Sequence, residues 1–554
     1  MKTDEFDAVV IGAGAGGGFA AMALAEGGMR VLLLDRGKRF DPARDFPMNH
    51  DDWELRESAF AEGDGGREPS VLVEIGSRIA AEDQDLCSRW LGYDKPTGCG
   101  RRSPVRYLRV FGVGGSTLHY AGEAHRFADY AFRPHSLYGH GDADWPLGYA
   151  DLEPHYRKAE EILGVAGEPG NPFKPPRGPF PTPAHPLSTA SQYAARGAAK
   201  LGWTVRPNTL AIPSRPYEGR PACQASGGCT LGCPIGAKSS TDLTAIPRGE
   251  RTDRLKVLTD SRVVQLETAA DGRIAGAVYV QDGVRQVARG YVYVLAGGAI
   301  ETPRLLLASA GGKHQHGIGN ASGQVGLHLM ETLSAGLTVR FDADLRSYRG
   351  QVMNSRMWDF APPPGDGSRA GFVLGVSISD NWHGPASYAR SLPGFGLAHK
   401  DLMRERLGRV VTLLGIGDHE PRAENRLVLD SRVDADGVPI VRLKLDYSNQ
   451  DRGTLRAILR SLEAWADACG AVERVGSYSS LSHPVITHSG GTCRMGDDPA
   501  ASVVDKSGRC HDAANLYIAD ASVLVSQGAG DSPSLTIQAL ALRTAETILS
   551  ATRG

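Results

Sequence analysis

The sequence predicts an α/β fold, and its N-terminal segment supplies the observations. A short apolar strand covers residues 7–11, a helix-like stretch reaches Gly27, and a second apolar strand covers 31–34 and ends in Asp35. Between the first strand and the helix lies a glycine-rich turn, 12–17, which reads GAGAGG. Strand, turn, helix and strand in this order form a βαβ unit, so we expect a parallel sheet of the Rossmann type.

The glycine-rich turn has the spacing of a dinucleotide site. Gly12 allows the tight turn, Gly14 lets backbone amides approach a pyrophosphate, and Gly17 lets the helix pack closely on the strand. Asp35 lies where a ribose hydroxyl would bind. Glycine-rich turns are common, but the strand before it, the helix after it and the acid at this distance favour dinucleotide binding. The unit does not choose FAD over NAD.

The composition is that of a globular protein with a large core. The chain has 554 residues, of which 41% are hydrophobic, and this is enough for two or more domains. Lys and Arg number 61 against 63 Asp and Glu, so we expect a small-molecule or protein partner and no nucleic acid. We expect no transmembrane segment and no export signal. The 8 cysteines form no disulfide framework, so a reducing compartment is the default.

Further motifs follow in order along the chain. They are FGVGGSTLHY at 111–120, Asp144-Trp145-Pro146, AGGAIETP at 296–303, HSGGT at 488–492, NLYIADAS at 515–522 and a closing helix expected over 533–550. Together they resemble the glucose-methanol-choline (GMC) family of FAD oxidoreductases over nearly the whole chain. Any one motif could arise by chance, whereas the ordered set is highly specific.

The resemblance implies one tightly bound FAD and a two-domain fold, in which a substrate domain is built on an antiparallel β-sheet with helices. The expected boundaries are 1–328 for the Rossmann-type FAD-binding domain with inserted loops and the cysteine-rich segment 219–240, 329–475 for the substrate-binding domain, and 476–554 for a C-terminal return that carries the active site. Residues 335–341 and 440–445 are candidate strands of the substrate domain.

The resemblance also assigns residues to the cofactor. They are Gly12, Gly14, Gly17, Asp35, Gly114, Gly115, Ser116, His119, Val264, Asp520, Ala521, Pro533 and Ser534. His119 aligns with a histidine that bonds covalently to the flavin in pyranose oxidases. Many relatives with a similar turn hold FAD without a covalent bond, and we expect a noncovalent role for His119.

His488 is the expected catalytic base. Alcohol oxidation sends a hydride to the flavin and the hydroxyl proton to a base, and histidine, with an ordinary pKa of about 6.5, is largely neutral at working pH. The resemblance places His488 at the family's catalytic histidine. Ser532 stands where relatives usually have Asn or His. With Pro533 after it, Ser532 would also be the N-cap of a helix. The resemblance implies that the positive end of this helix faces the flavin.

Three clustered cysteines, Cys223, Cys229 and Cys233, form a candidate iron–sulfur site. Three thiolates suffice for a [3Fe-4S] cluster, and a proline follows the last one, as is common at such ligands. The segment also resembles the cluster segment in large subunits of GMC sugar dehydrogenases. The alternatives are zinc with a fourth ligand such as Cys87 or Cys99, a disulfide that leaves one thiol over, and a turn without a cluster as in long-chain alcohol oxidases.

These features predict an FAD and iron–sulfur dehydrogenase that oxidises a sugar, glycoside or polyol and passes electrons to a protein acceptor. The resemblance implies a small subunit with an export signal and a cytochrome c subunit, which would bring a chain without its own signal to the periplasm. The alternative is an FAD alcohol oxidase for aryl or long-chain alcohols without a working cluster. A third class is a flavin protein that only relays electrons, and His488 argues against it. Cys469, Cys493 and Cys510 are expected in the core.

Overall fold

The computed structural model describes residues 6–53, 71–75, 79, 81–87, 89–90, 106–107, 109–363, 365, 368–378 and 384–553. The strands are β1 (Phe6–Ile11), β2 (Val31–Leu34), β3 (Val71–Ile75), β4 (Arg89–Trp90), β5 (Arg106–Tyr107), β6 (Ala166–Gly167), β7 (Thr182–Pro183), β8 (Arg206–Pro207), β9 (Leu255–Leu258), β10 (Arg262–Thr268), β11 (Ile274–Gln281), β12 (Val284–Ala288), β13 (Gly290–Leu295), β14 (Leu333–Arg340), β15 (Met353–Met357), β16 (Phe372–Ser377), β17 (Val410–Gly417), β18 (Arg426–Val433), β19 (Pro439–Leu445), β20 (Glu473–Ser479), β21 (Val485–Ile486) and β22 (Leu516–Ile518). The α-helices are α1 (Ala15–Glu26), α2 (Pro42–Asp45), α3 (Pro134–Tyr138), α4 (Tyr149–Leu163), α5 (Thr189–Lys200), α6 (Ala245–Glu250), α7 (Gly298–Ala308), α8 (Gly384–Ser391), α9 (Gly396–Arg406), α10 (Asn449–Cys469) and α11 (Ser534–Arg553).

A five-stranded parallel sheet, in the order β22-β13-β1-β2-β9, confirms the predicted Rossmann-type fold. The predicted first strand, helix and second strand are β1, α1 and β2. Helices α1 and α11 pack on each other, and the core between them and the sheet is continuous. The carboxyl ends of β1, β2, β13 and β22 meet at one edge, so the residues that follow these strands come together there.

An antiparallel sheet of seven strands, in the order β4-β20-β14-β17-β16-β15-β8, confirms a second domain built on a sheet. The candidate strand at 335–341 is β14, which pairs with β17 on one side and β20 on the other. The candidate strand at 440–445 is β19, but it pairs with β18 and β3 in a separate three-stranded sheet. The domain boundaries at 328/329 and 475/476 stay predictions.

A second apolar core lies between the seven-stranded sheet and the helices α5 and α10. Helix α10 begins in a capping box, in which the Ser448 hydroxyl accepts from the Asp451 amide over 3.1 Å and the Asp451 carboxylate accepts from the Ser448 amide over 2.6 Å. It ends at Gly470 in the left-handed conformation. The Trp465 ring of α10 is fully buried and its Nε1 donates to the Ala194 carbonyl oxygen of α5 over 2.9 Å.

Two further expectations concern the core and the membrane. Cys469, Cys493 and Cys510 are buried free thiols, as predicted. Among the helices that the structure describes, none has the length and apolar character needed to cross a bilayer.

Candidate active site

The first glycine-rich turn leaves room for a ligand at the N-terminus of α1. Gly12 has φ +104°, which favours glycine, and a Cβ there would lie 2.4 Å from the Ala296 carbonyl oxygen. A Cβ at Gly17 would lie 1.8 Å from the Gly12 oxygen, so helix and turn meet backbone against backbone. Gly14 is the N-cap of α1 and has no side chain to cap the helix, which leaves the first amides of α1 for a pyrophosphate.

The second glycine-rich turn lies directly on the first. The Gly114 amide donates to the carbonyl oxygen of the residue before Gly14 over 3.0 Å, and a Cβ at Gly115 would lie 2.8 Å from the Gly14 Cα. A short 3-10 helix, Gly115–Leu118, follows and contains Ser116. The predicted cofactor residues of both turns thus form one continuous cradle, which fits the pyrophosphate region of FAD because side chains are excluded from it.

Two buried carboxylates follow β2 and β22 at the same edge. Asp35 accepts hydrogen bonds from two backbone amides of the adjacent turns, each over 2.9 Å. Asp520 accepts from the Gly298 amide over 2.9 Å and from the Thr302 hydroxyl over 2.6 Å, and so fastens β22 to the start of α7. Burial raises the pKa of both carboxyls. Asp35 therefore lies beside the first glycine-rich turn, and Asp520 lies beside the segment 296–303 that follows β13.

The side chain of Val264 is turned into the core, away from the surface of the two glycine-rich turns. It lies at a bulge in the pairing of β10 with β11, and its side chain is buried in a small apolar cluster with Val278 and Val438. A cofactor role for Val264 therefore rests on the peptide groups that the bulge removes from the ladder. Ala521 is likewise engaged through its backbone, because its carbonyl oxygen accepts from the Gly491 amide over 3.2 Å.

His488 is half-buried, and its ring is held at one nitrogen. Nδ1 lies 3.0 Å from Thr332 Oγ1, whereas Nε2 has no hydrogen-bond partner among the described residues. The His488 amide donates to Glu331 Oε1 over 2.6 Å, and its carbonyl oxygen accepts from the Gln527 side-chain amide. Burial lowers the pKa of His488, so the ring is neutral at pH 7. When Nδ1–H donates to Thr332, Nε2 carries the lone pair of a base.

His119 ends the 3-10 helix of the second turn and lies close to His488. Burial, together with the positive charge of Lys238 and the nearby His488, lowers the pKa of His119 to about 4. Its imidazole is therefore neutral at physiological pH. The structure thus brings together the two histidines that the sequence singled out, although 369 positions separate them (488 − 119).

Ser532 is not the N-cap that the Ser-Pro pair predicts. Helix α11 begins at Ser534, and Pro533 forms a turn before it. The Ser532 amide donates to His125 Nδ1 over 3.0 Å, and within the described ranges its hydroxyl has no hydrogen-bond partner. Because its backbone is tied to His125, Ser532 precedes the helix instead of capping it.

The sequence does not predict the buried polar network behind Ser532. His125 Nε2 lies 2.8 Å from Asn208 Oδ1, and Asn208 donates to Glu123 over 2.7 Å. Glu123 then accepts two bonds of 2.6 and 2.8 Å from Arg356. Burial alone would raise the pKa of Glu123, but the Arg356 guanidinium brings it down to about 2. Arg356 lies in strand β15, which reads MNSRM and is buried along its whole length, and this sequence carries no local signal for the network.

A cavity of about 460 Å³ opens beside His125. Its wall includes the Trp358 ring, the Lys174 ammonium and prolines of the segment 169–176. Asp531 accepts from Trp358 Nε1 over 3.0 Å and pairs with Lys174, so the wall is tied to the loop that carries Ser532. The volume is that of a small-molecule site.

The cysteine-rich segment is joined to the second glycine-rich turn by a buried lysine. The Lys238 ammonium donates to the carbonyl oxygens of Leu118, Tyr120 and Cys229 over 2.7, 3.1 and 2.6 Å. Burial lowers the pKa of Lys238 to about 8, with nearby thiols opposing the shift. The thiol segment is therefore held against the turn that contains His119.

Cys223, Cys229 and Cys233 are free thiols near one another. Cys223 Sγ accepts from the Ala225 amide over 3.3 Å and from Gln351 Nε2 over 3.4 Å. Burial raises the pKa of the Cys229 thiol to about 11. Donor kind and number fit a [3Fe-4S] cluster, but in the described ranges no three side chains of His, Cys, Asp or Glu are grouped so as to hold a metal ion.

The structure argues against two alternatives to a cluster, namely zinc with Cys87 as the fourth ligand and a disulfide within the trio. Cys87 is disulfide-bonded, so it does not supply the fourth thiolate that zinc would need. Cys99 lies outside the described residues. A disulfide within the trio is contradicted, because all three thiols are free.

Comparison with protein families matches three parts of the chain. A model described as GMC oxidoreductase matches residues 146–331, a second model with that description matches 421–541, and an FAD binding domain matches 7–46. The matched ranges contain the first glycine-rich turn at 12–17, the segment 296–303 after β13, His488 and Ser532. The second glycine-rich turn at 111–120 lies between two matched ranges.

Relatives of known activity match over nearly the full length. The 2-methyl-1,2-propanediol dehydrogenase of Mycolicibacterium austroafricanum is 30% identical over 99% of this chain and 96% of its own. The fructose dehydrogenase large subunit of Gluconobacter japonicus is 31% identical over 99% and 98%, and the paromamine 6'-oxidase of Streptomyces fradiae is 30% identical over 98% and 91%.

Solved structures share the fold at lower identity. The pyridoxine 4-oxidase from Mesorbium loti superimposes with a TM-score of 0.64 at 20% identity over 98% of each chain. A formate oxidase matches with a TM-score of 0.63 at 15% identity over 100% of this chain and 99% of the other.

Proposed function

This chain belongs to the GMC oxidoreductase family and is an FAD-dependent oxidoreductase that acts on CH–OH donors, and from this premise we propose that its substrate is a sugar, glycoside or polyol. The names of its relatives support the proposal, since they specify 2-methyl-1,2-propanediol, fructose and paromamine.

His488 is the proposed base, and the free Nε2 opposite the Thr332 contact is the observation that carries this role. FAD, when bound, supplies the acceptor for the hydride that leaves the carbinol carbon. His488 Nε2 takes the hydroxyl proton, and burial keeps the ring neutral and ready to accept it. Thr332 holds the opposite nitrogen, so the ring is oriented before substrate arrives.

Ser532 is the proposed second polar residue of the site. Its hydroxyl is available because it makes no cap bond, and its backbone is fixed by His125. The network from His125 to Arg356 keeps that contact rigid, since each of its members is buried. Ser532 therefore orients the substrate hydroxyl, directly or through a water.

The cavity beside His125 supports a hydroxyl-rich substrate. Glu168, Asn171, Lys174 and Arg206 line it together with the Trp358 ring. Lys174 is paired with Asp531 and Arg206 with Glu168, and their remaining donors and acceptors could bond a polyhydroxylated ring stacked on Trp358, whereas a long alkyl chain would leave them unused. This favours a sugar or polyol over an aryl or long-chain alcohol.

The proposal predicts a yellow or brown protein with one FAD per chain that does not reduce NAD. The protein should be mixed under anaerobic conditions with each of five candidate substrates: fructose, glucose, gluconate, a propanediol and an aminoglycoside. Benzyl alcohol and a long-chain alcohol serve as the comparison. Bleaching of the flavin absorbance by a sugar or polyol is the expected result. Bleaching only by the aryl or long-chain alcohol would favour the oxidase alternative, and bleaching by none would contradict a catalytic role.

The proposed electron acceptor is a protein, reached through a [3Fe-4S] cluster on Cys223, Cys229 and Cys233. The thiols agree with such a cluster in kind and number, while their spacing in the structure does not, so no step of the reaction is derived through it. A relative named as a large subunit supports an assembly with further subunits. The subunits that we propose are a small export-carrying subunit and a cytochrome c subunit, with the assembly in the periplasm. A relative named as an oxidase supports the alternative acceptor, oxygen.

Cys229→Ser should remove the iron while substrate still bleaches the flavin. The loss of the cluster is measured by the content of iron and acid-labile sulfide and by electron paramagnetic resonance spectra of the wild type and the variant. Cys469→Ser is the matched control, because that thiol is buried in the core away from the segment. Wild-type protein without iron, or iron that is unchanged in Cys229→Ser, would refute the cluster.

A further inference from the structure

We propose that Glu331 is a positioning residue that holds His488 for proton transfer, and that the ionised carboxylate is the form that holds it. The inference rests on the proposed role of His488 as the base. Neither the glycine-rich turns nor the HSGGT motif points to Glu331, which lies in the segment before β14.

Both carboxyl oxygens of Glu331 accept hydrogen bonds from the segment that contains His488. Oε1 accepts from the His488 amide over 2.6 Å and from the Thr487 hydroxyl over 3.3 Å. Oε2 accepts from the Ser489 hydroxyl over 3.2 Å. One buried carboxyl group therefore binds three consecutive residues, with His488 in the middle.

The residues on either side of Glu331 hold the same segment. Met330 and Gly490 exchange two backbone hydrogen bonds of 3.0 Å. Thr332 Oγ1 meets His488 Nδ1 at 3.0 Å. The main chain and the ring of His488 are thus fixed from a single three-residue stretch, so a change at its centre moves the base itself.

The ionisation state of Glu331 decides the direction and the strength of these bonds. A carboxylate accepts all three, whereas the acid form must donate from one oxygen to a hydroxyl, which reverses that bond, and it no longer offers a negative charge to the His488 amide. Burial raises the pKa of Glu331 to about 7, against the hydrogen bonds it accepts from the His488 segment. Both forms are therefore populated near neutral pH.

Within the described part of the chain, two titratable groups face Glu331 from the elements packed on it. One is His488, and the other is His419, whose Nδ1 accepts from the Glu331 amide over 3.3 Å. His419 Nε2 in turn lies 3.5 Å from Asp451 Oδ2 of α10. The inflection assigned to Glu331 must therefore be distinguished from that of His488.

Glu331→Gln is the decisive variant, because it keeps the size and an accepting oxygen but cannot ionise. In the wild type we expect the rate of flavin bleaching by substrate to fall as pH drops through about 7. Glu331→Gln should lower the rate by about tenfold above that pH, as a small displacement of the base would, and should remove this inflection. The remaining acid limb belongs to His488 and lies below 6.5. Glu331→Asp should restore an ionisable limb.

The free energy of unfolding gives a second test of Glu331, because its dependence on pH is opposite to that of the rate. The folded pKa of about 7 exceeds the ordinary 4.5, so the contribution of Glu331 to the free energy of unfolding is full below 4.5 and is lost as pH rises to about 7. Glu331→Gln should therefore gain stability relative to the wild type as pH rises through that window. Glu473→Gln, which removes a carboxylate paired with Arg340 and Arg406, should leave the pH profile of the rate unchanged.

The outcomes separate this inference from the proposed function. An unchanged pH profile in Glu331→Gln, with His488→Ala still slow, would overturn the positioning role alone. A His488→Ala variant that bleaches at the wild-type rate would remove the base assignment and the inference with it. If Glu331→Gln fails to fold, the pH profile of Glu331→Asp decides: a shifted acid limb supports the role, and an unshifted one overturns it.

Discussion

His488→Ala is expected to slow flavin bleaching by substrate about 10²-fold or more while FAD stays bound, the usual scale for loss of a general base. The side chain has one nitrogen held by Thr332 and one free to take a proton, and the second function vanishes in the variant. Stopped-flow absorbance under anaerobic conditions measures the rate, and the ratio of flavin to protein absorbance shows whether FAD is retained.

Ser532→Ala is the matched control for this result. Its hydroxyl makes no cap bond, so the free energy of unfolding should fall by much less than the about 1 kcal/mol of a lost N-cap. The rate of bleaching should fall far less than in His488→Ala. If Ser532→Ala abolishes bleaching as completely, with FAD and stability intact, then Ser532 is a full catalytic partner and the hierarchy of the two residues is wrong.

Gly12→Ala is expected to yield a protein that retains little or no FAD. The backbone at Gly12 has φ +104°, and the added Cβ would lie 2.4 Å from the Ala296 carbonyl oxygen at the end of β13. Relief of that overlap must move either the turn or the strand end, and both form the cradle for the cofactor. The measurement is the ratio of FAD to polypeptide after gel filtration.

Gly28→Ala is the control that separates backbone strain from steric overlap with the added Cβ. Gly28 has a similar φ of +99°, but a Cβ there would meet nothing within 4 Å. This variant should lose about 1–2 kcal/mol of stability from its left-handed conformation and still bind FAD fully. Equal FAD occupancy in Gly12→Ala and Gly28→Ala would show that the cradle tolerates displacement and that the geometric argument fails.

The local order of the N-terminal unit could be predicted from the sequence because each of its signals is local. The apolar run of β1, the turn 12–17 and the helix α1 follow one another within a few residues, and the structure places them within one or two positions of the prediction. The closing helix was likewise predicted, but its first turn begins at Ser534, since the Ser532 amide turns toward His125.

The partners of His488 could not be predicted in the same way. Glu331 and Thr332 lie more than 150 positions before it, and they meet it only because Met330 pairs with Gly490. The same holds for Arg356, whose role depends on the antiparallel sheet bringing β15 to Glu123. The side chain of Val264 faces an apolar cluster because a bulge interrupts the ladder, and bulges leave little trace in composition.

The hydrogen bonds of the Lys238 ammonium couple the local unfolding of the two segments that they join. Its three carbonyl bonds span two segments that are far apart in sequence, and a buried cation that loses one of them cannot find water in exchange. Lys238 belongs to the cysteine-rich segment itself, so separating that segment from the second glycine-rich turn breaks the bonds to Leu118 and Tyr120 together and leaves the ammonium with Cys229 alone. The amide hydrogens on both sides should exchange with solvent as one cooperative unit, so that release of the flavin would loosen the thiols and disorder among the thiols would loosen the flavin.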